Sequence, residues 1–188
     1  MKNDLIPAAV LVPLFHDSGS VKIEYTTSKK FRITGEAEVL LTVRTDTVEH
    51  HKGQISFPGG TKDEEDIDFL HTALRETEEE VGLPRSHIQI IAELPTIPIP
   101  RTGFRVRPFV GIIEKTAAGI LKPSPIEIAE LLFVPLSHLL DTRNSTLESY
   151  EYEGVRYEMK AYHYKGHRIW GATAKMLQFF LESQETAK

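Results

Sequence analysis

The chain reads as an α/β protein in which a mixed β-sheet is held between α-helices. Three observations predict this. Short apolar, β-branched runs recur along the whole length, and two long helical stretches stand among them. The strands and helices follow one another without regular strand–helix–strand alternation, which argues against a doubly wound parallel sheet. At 188 residues the chain fits one domain, 1–188, with a core large enough to need no covalent staples. No repeat, low-complexity tract or linker divides it.

Taken in order, the strand-like segments are Ala8–Phe15, Val21–Tyr25, Val39–Val43, Ile55–Phe57, Ile88–Leu94, Phe104–Ile113 and Leu131–Pro135. The spacing predicts one helix over Asp66–Val81, with Asp66 as its N-cap and Gly82 as its C-cap. Leu70, Ala73, Leu74, Thr77 and Val81 form its buried stripe. A short helix covers Leu136–Leu140 and a second long one Ala172–Glu182, with Trp170 read as core just ahead of it. Between them Tyr150–Tyr164 alternates aromatic and charged residues about Glu153–Gly154, the pattern of a hairpin or of a pair of extended arms.

Composition excludes several classes of function. With 40% hydrophobic and 26% charged residues the chain is a globular protein, neither disordered nor membrane-spanning. A net charge of −5 supplies no basic excess for binding nucleic acid. The absence of cysteine removes disulfides, zinc–thiolate sites and thiol nucleophiles. The apolar stretch Ala8–Phe15, broken by Pro13, is too short for a secretory signal, so the cytoplasm is the expected compartment. The sequence leaves open whether the chain forms a homodimer.

Chemistry concentrates between Phe57 and Leu83. Pro58-Gly59-Gly60 ends a strand, a charged loop follows, and Glu76, Glu79 and Glu80 then emerge at i, i+3 and i+4 on one helix face. Carboxylates so placed repel by ~3 kcal/mol per pair in a partly buried site of effective dielectric about 20. That arrangement makes sense around a cation, and hard oxygen donors select Mg²⁺ or Mn²⁺. Arg75, one turn before Glu79, can hold that carboxylate by an i,i+4 ion pair, and the Gly60 carbonyl is a further candidate oxygen ligand. Glutamates on a helix are ordinarily a solvated face, as Glu78 is expected to be; the Gly-Gly turn ahead and the Gly-Leu behind change that reading.

These residues resemble the Nudix box, G-x5-E-x7-R-E-U-x-E-E-x-G-U with U aliphatic. Gly60, Arg75, Glu76, Glu79, Glu80, Gly82 and Leu83 match it in order, over about 60–83. The interval from Gly60 to Arg75 is one residue longer, Asp66 or Asp68 stands for the intervening glutamate, and Thr77 replaces an aliphatic residue. The longer interval resembles the coenzyme A diphosphatase branch, whose upstream signature L-L-T-x-R-S-x-x-L-x-x-H-x-G-Q-I-x-F-P-G-G is matched from Leu40 through Gly60, with Thr45 for serine and Val48 for leucine. Further segments resembling the branch are Arg101–Val106, Pro108–Gly111, Ile126–Pro135 and Arg168–Ala174.

The resemblance implies a Nudix fold and metal-dependent hydrolysis of coenzyme A, or its derivatives, to 3′,5′-ADP and a 4′-phosphopantetheine. It implies Glu76 and Glu80 as principal metal ligands, Glu79 as a third, and Glu127 as a general base from outside the box. Arg44, Arg101 and Arg105 are candidates for phosphate contact, each equally readable as a surface arginine. His51 and Gln54 match the upstream signature; His51 either bonds phosphate, orients Gln54 or caps the Gly53 turn. Trp170 either stacks on adenine or packs as core, the reading taken above. Two other functions remain open: hydrolysis of ADP-ribose, a dinucleotide or a nucleoside triphosphate at the same site, and nucleotide binding without turnover.

Overall fold

The computed structural model describes residues 5–18, 22–25, 31–45, 53–152 and 154–184. The chain runs β1 (Ile6–His16), β2 (Lys22–Tyr25), β3 (Phe31–Thr34), β4 (Ala37–Arg44), β5 (Ile55–Ser56), β6 (Gly59–Thr61) and α1 (Phe69–Val81). It continues through β7 (Gln89–Glu93), β8 (Ile97–Ile99), β9 (Phe104–Glu114), β10 (Ile128–Pro135), α2 (Leu136–Leu140), β11 (Ser145–Tyr152), β12 (Val155–Tyr164), β13 (His167–Ile169) and α3 (Gly171–Glu182).

The main sheet has the order β10-β4-β1-β9-β7, with β5 paired to β4, β6 to β1 and β8 to β9. It is mixed: β1 and β9 run parallel from Ile6↔Phe104 to His16↔Glu114, while β4 lies antiparallel to β1. Alternation along β1 and β4 sends side chains to two faces. Val10, Val12, Leu14, Val39 and Leu41 meet Leu136 and Leu139 of α2 and Leu177 and Phe180 of α3. Ala9 and Leu11 pack with Ala73 of α1 on the other face, and Phe15 and Leu40 with Val81 and Leu83. The result is the expected α/β/α sandwich. Among the described residues no helix is long and apolar enough to cross a membrane.

All seven expected strands and the hairpin form, with shifted ends; Val21 and Glu153 lie outside the described residues. Four strands escaped the sequence reading: β3, β6, β8 and β13. Each has three or four residues, too few to show a period, and β8 carries Pro98 and β6 two glycines. The first helix starts later than expected. Asp68, not Asp66, is its N-cap, accepting the His71 N–H at 2.7 Å, while Gly82 closes it at φ 68° as expected. Ala73, Thr77 and Val81 are buried but Leu70 and Leu74 only half so, and Thr72 and Glu80 join the buried set. Trp170 is not core: Tyr162↔Ile169 pairing turns Ile169 inward, so the next residue faces out.

Candidate active site

The site is assembled at one end of the main sheet. Because β4 runs antiparallel to β1, its last residue, Arg44, lies at the same end as Ile6–Val10, where β6 pairs across Ala8↔Thr61, Ala9↔Gly60 and Val10↔Gly59. Gly59 takes φ 151°, and a Cβ there would stand 2.4 Å from the Ala9 carbonyl oxygen, so only glycine lets the strand lie this close. The Leu11 N–H donates to Pro58 O at 2.9 Å and fixes the approach. Gly60 is pressed against the first glutamate of the helix: a Cβ on it would come 2.5 Å from Glu76 Cδ.

Arg75 is the hub of the acidic face. Its Nη1 donates to Glu76 Oε1 at 2.9 Å and to Glu79 Oε2 at 3.0 Å, the latter being the expected i,i+4 pair. Its other edge grips Asp66, Nε to Oδ1 at 3.1 Å and Nη2 to Oδ2 at 3.0 Å. Asp66, 4% exposed, also accepts from the Asp63 N–H and the Thr72 hydroxyl and contacts His71 Nδ1 at 2.7 Å. It therefore ties the loop after β6 down onto α1, a role different from the cap expected of it. The Arg75 guanidinium, followed by the His71, Asp63 and Thr72 contacts, holds its carboxyl well below the usual range against the opposing effect of burial.

Glu80 points the other way, into the protein, and is 3% exposed. Its Oε2 accepts the Gly59 N–H at 3.2 Å and its Oε1 faces Arg44 Nη1 at 3.2 Å. Burial pushes this carboxyl up to about 7, against the Gly59 and Arg44 contacts, with Glu76 and Glu127 adding like charge. Burial also pushes Glu76 upward despite Arg75. Arg44 Nη2 lies 3.8 Å from Glu127 Oε2, and Arg44 Nε is buried with no hydrogen-bond partner among the described residues. The loop carrying Glu127 is stitched in place by Lys122 N–H to Val81 O, Ser124 N–H to Glu80 O and Thr45 N–H to Glu127 O, at 2.9, 2.8 and 2.9 Å. The Thr45 hydroxyl adds a bond to Ile126 O at 2.7 Å.

Among the described residues no three His, Asp or Glu side chains converge tightly enough to enclose an ion, because the two arginines stand between the carboxylates. The donor chemistry nonetheless fits a divalent cation. The oxygens are hard, a glycine clears the space at Glu76, and two carboxyls are pushed upward because guanidinium charge alone does not offset their burial. Glu76, Glu79 and Glu80 with the Gly60 carbonyl are the residues that could hold it.

The other sequence candidates separate. Arg44 and Glu127 join the glutamates. Gln54 is exposed beside them, its backbone carbonyl accepting the Arg44 backbone N–H at 2.9 Å, and His51 lies outside the described residues. Arg101 and Arg105 lie exposed at the same end of the sheet, in the β8–β9 turn and at the start of β9, without a described contact to the glutamates. Sequence reasoning missed Asp66 as an anchor and Thr45 as a pin. Arg75, an obvious charge partner for a loop aspartate, was the available signal for the first.

The NUDIX domain model matches residues 31–152. The human mitochondrial coenzyme A diphosphatase NUDT8 is 36% identical over 178 residues, covering 93% of this chain and 68% of that protein. An uncharacterized Nudix hydrolase, NudL, of Photorhabdus laumondii subsp. laumondii is 37% identical over 145 residues, covering 74% of this chain and 73% of its own. Among solved structures, a C. elegans Ap4A hydrolase binary complex is similar at TM-score 0.48 and 18% identity, covering 71% of this chain and 82% of that one. The glycine strand and the glutamate helix are thus the two halves of a box that the family model also spans, and the chain belongs to the Nudix family, as a hydrolase of diphosphate bonds.

Proposed function

We propose that the chain hydrolyses the diphosphate linkage of coenzyme A or one of its derivatives, releasing 3′,5′-ADP and a 4′-phosphopantetheine. The observation that carries this reading is the 36% identity to human NUDT8 over 93% of the chain, a span that takes in the upstream signature as well as the box. Glu76, Glu79, Glu80 and the Gly60 carbonyl would hold Mg²⁺ or Mn²⁺. When bound, the ion supplies charge neutralisation for the diphosphate and a water of lowered pKa.

The chain's own groups do the positioning. Arg75 joins the loop to the helix through Asp66 and orients Glu76 and Glu79. The Gly59 N–H and Arg44 fix Glu80. Glu127, part-exposed beside Arg44, is the carboxylate proposed to take the proton of the attacking water. Arg44, whose guanidinium lies between Glu80 and Glu127, is the cation proposed to meet a phosphoryl oxygen. Arg101, Arg105, His51 and Gln54 are proposed for the remaining substrate contacts, with the arginines answering the 3′-phosphate.

The test is a substrate panel of coenzyme A, ADP-ribose, a dinucleotide and a nucleoside triphosphate, each with Mg²⁺ or Mn²⁺, with products identified by mass. Release of 3′,5′-ADP from coenzyme A is expected, and Glu80→Gln should keep its circular dichroism while turnover drops about 100-fold. Coenzyme A left intact beside turnover of another member moves the substrate. Ligand binding without any product, or full turnover by Glu80→Gln, ends the reading.

A further inference from the structure

Trp170 is the only tryptophan in the chain, and it is 42% exposed. The strand leading to it explains why: Ile169 is fully buried, so Arg168 and Trp170 share the open face. Arg168 Cζ stands 5.0 Å from the centre of the indole. The guanidinium is itself fixed, since Nε donates to Glu148 Oε1 at 3.0 Å and Nη2 donates to Oε2. Two planar groups are thus pre-ordered on the surface. Because Glu148 already answers the Arg168 charge, the pair offers a flat polarisable surface more than a free cation.

Two anchors place this pair beside the candidate site. Ahead of it, His167 Nε2 lies 3.3 Å from Glu130 Oε2 on β10. Behind it, the Thr173 hydroxyl donates to Ile55 O of β5 at 2.9 Å. Glu130 and Ile55 are the cross-strand partners of one residue, Val43, on its two sides, and Arg44 follows it. Both anchors sit on strands that flank Val43, one residue before Arg44, so the pair stands toward the end of β4 at which Arg44 meets Glu80.

We propose that Arg168 and Trp170 form a stacking shelf for the purine ring of the substrate. This rests on the reading that the site takes a nucleotide-derived diphosphate. A flat base suits an ion-paired guanidinium–indole pair; a phosphate would need the donors that Glu148 occupies, and a pantetheine arm presents no ring to stack.

The lone tryptophan makes the test direct. Titrating the wild-type protein with 3′,5′-ADP should quench Trp170 fluorescence to saturation, whereas 4′-phosphopantetheine and inorganic diphosphate, which lack a base, should leave it unchanged. Trp170→Ala should raise KM for coenzyme A about tenfold while kcat stays within about twofold, and Trp170→Phe should recover most of the loss. Unchanged fluorescence while calorimetry shows 3′,5′-ADP bound overturns the shelf, as does an unchanged KM in Trp170→Ala. The two readings fail separately. Normal coenzyme A turnover without quenching removes the shelf and spares the substrate; quenching by 3′,5′-ADP in a protein that leaves coenzyme A intact supports the shelf and removes the substrate.

Discussion

Asp66 sits out of water among five donors and contacts, and its charge is matched by one guanidinium that also serves two glutamates. Its carboxyl is held below the unfolded value of about 3.9. The stabilisation it gives is therefore complete above that pH and is lost as pH falls further through the folded value. Asp66→Asn should cost about 3 kcal/mol near neutrality by leaving Arg75 and the surrounding donors short of an acceptor. It should also flatten the acid side of a plot of urea midpoint against pH. If variant and wild type fall in parallel below about pH 4, Asp66 is not the group whose protonation opens the protein. The residue shows where sequence reasoning stops. In Asp66-Ile67-Asp68 either aspartate satisfies the local rule for a cap, and the choice depends on Arg75, nine positions on, reaching back to one of them.

The elements of the site differ in how far they can be read from local pattern. The helix face carrying Glu76, Glu79 and Glu80 was legible, because i, i+3 and i+4 spacing is a property of the helix itself. That Glu79 stays 58% exposed while Glu80 is buried was not, since it depends on what Arg44 and Gly59 bring from other strands. β6 was read as a turn, because two glycines have no strand propensity and only the pairing with β1 makes a strand of them. Its two glycines should fail differently. At Gly59 an added Cβ meets backbone at Ala9 and Val10 and a φ that side chains avoid, so Gly59→Ala should lower stability by about 2–3 kcal/mol. At Gly60 the three nearest atoms all belong to the Glu76 carboxylate, the far end of a side chain held by Arg75 and not backbone. Gly60→Ala should stay within about 1 kcal/mol of wild type and still lose turnover. Urea melts and turnover on the same preparations check both, and a Gly60→Ala protein with full activity would detach Glu76 placement from the strand.

For the molecule as a whole, the sequence's order of apolar runs and helices was enough to predict a mixed sheet between helices, because burial on both faces leaves few other arrangements. It was not enough to show that β11, β12 and β13 make a separate three-stranded sheet, as β2 and β3 make a two-stranded one, or that Trp170 faces outward. The parity of a three-residue strand is set by its pairing to β12, which no local periodicity reveals. That division predicts where stability resides. Phe180, fully buried on α3 and 6.2 Å from Phe31 between ring centres, belongs to the layer closing one face of the main sheet. Phe180→Ala should cost about 3–5 kcal/mol through lost burial and the cavity left behind. Tyr150 and Tyr157 stack at 5.4 Å on the β11–β12 hairpin, but both remain more than two-fifths exposed. Replacing both with serine should cost only about 0.2–1 kcal/mol, the worth of a cross-strand pair. Urea midpoints for the two variants decide it: a double tyrosine variant as unstable as Phe180→Ala would mean that the hairpin shares the cooperative core, and the two sheets would have to be treated as one packed body.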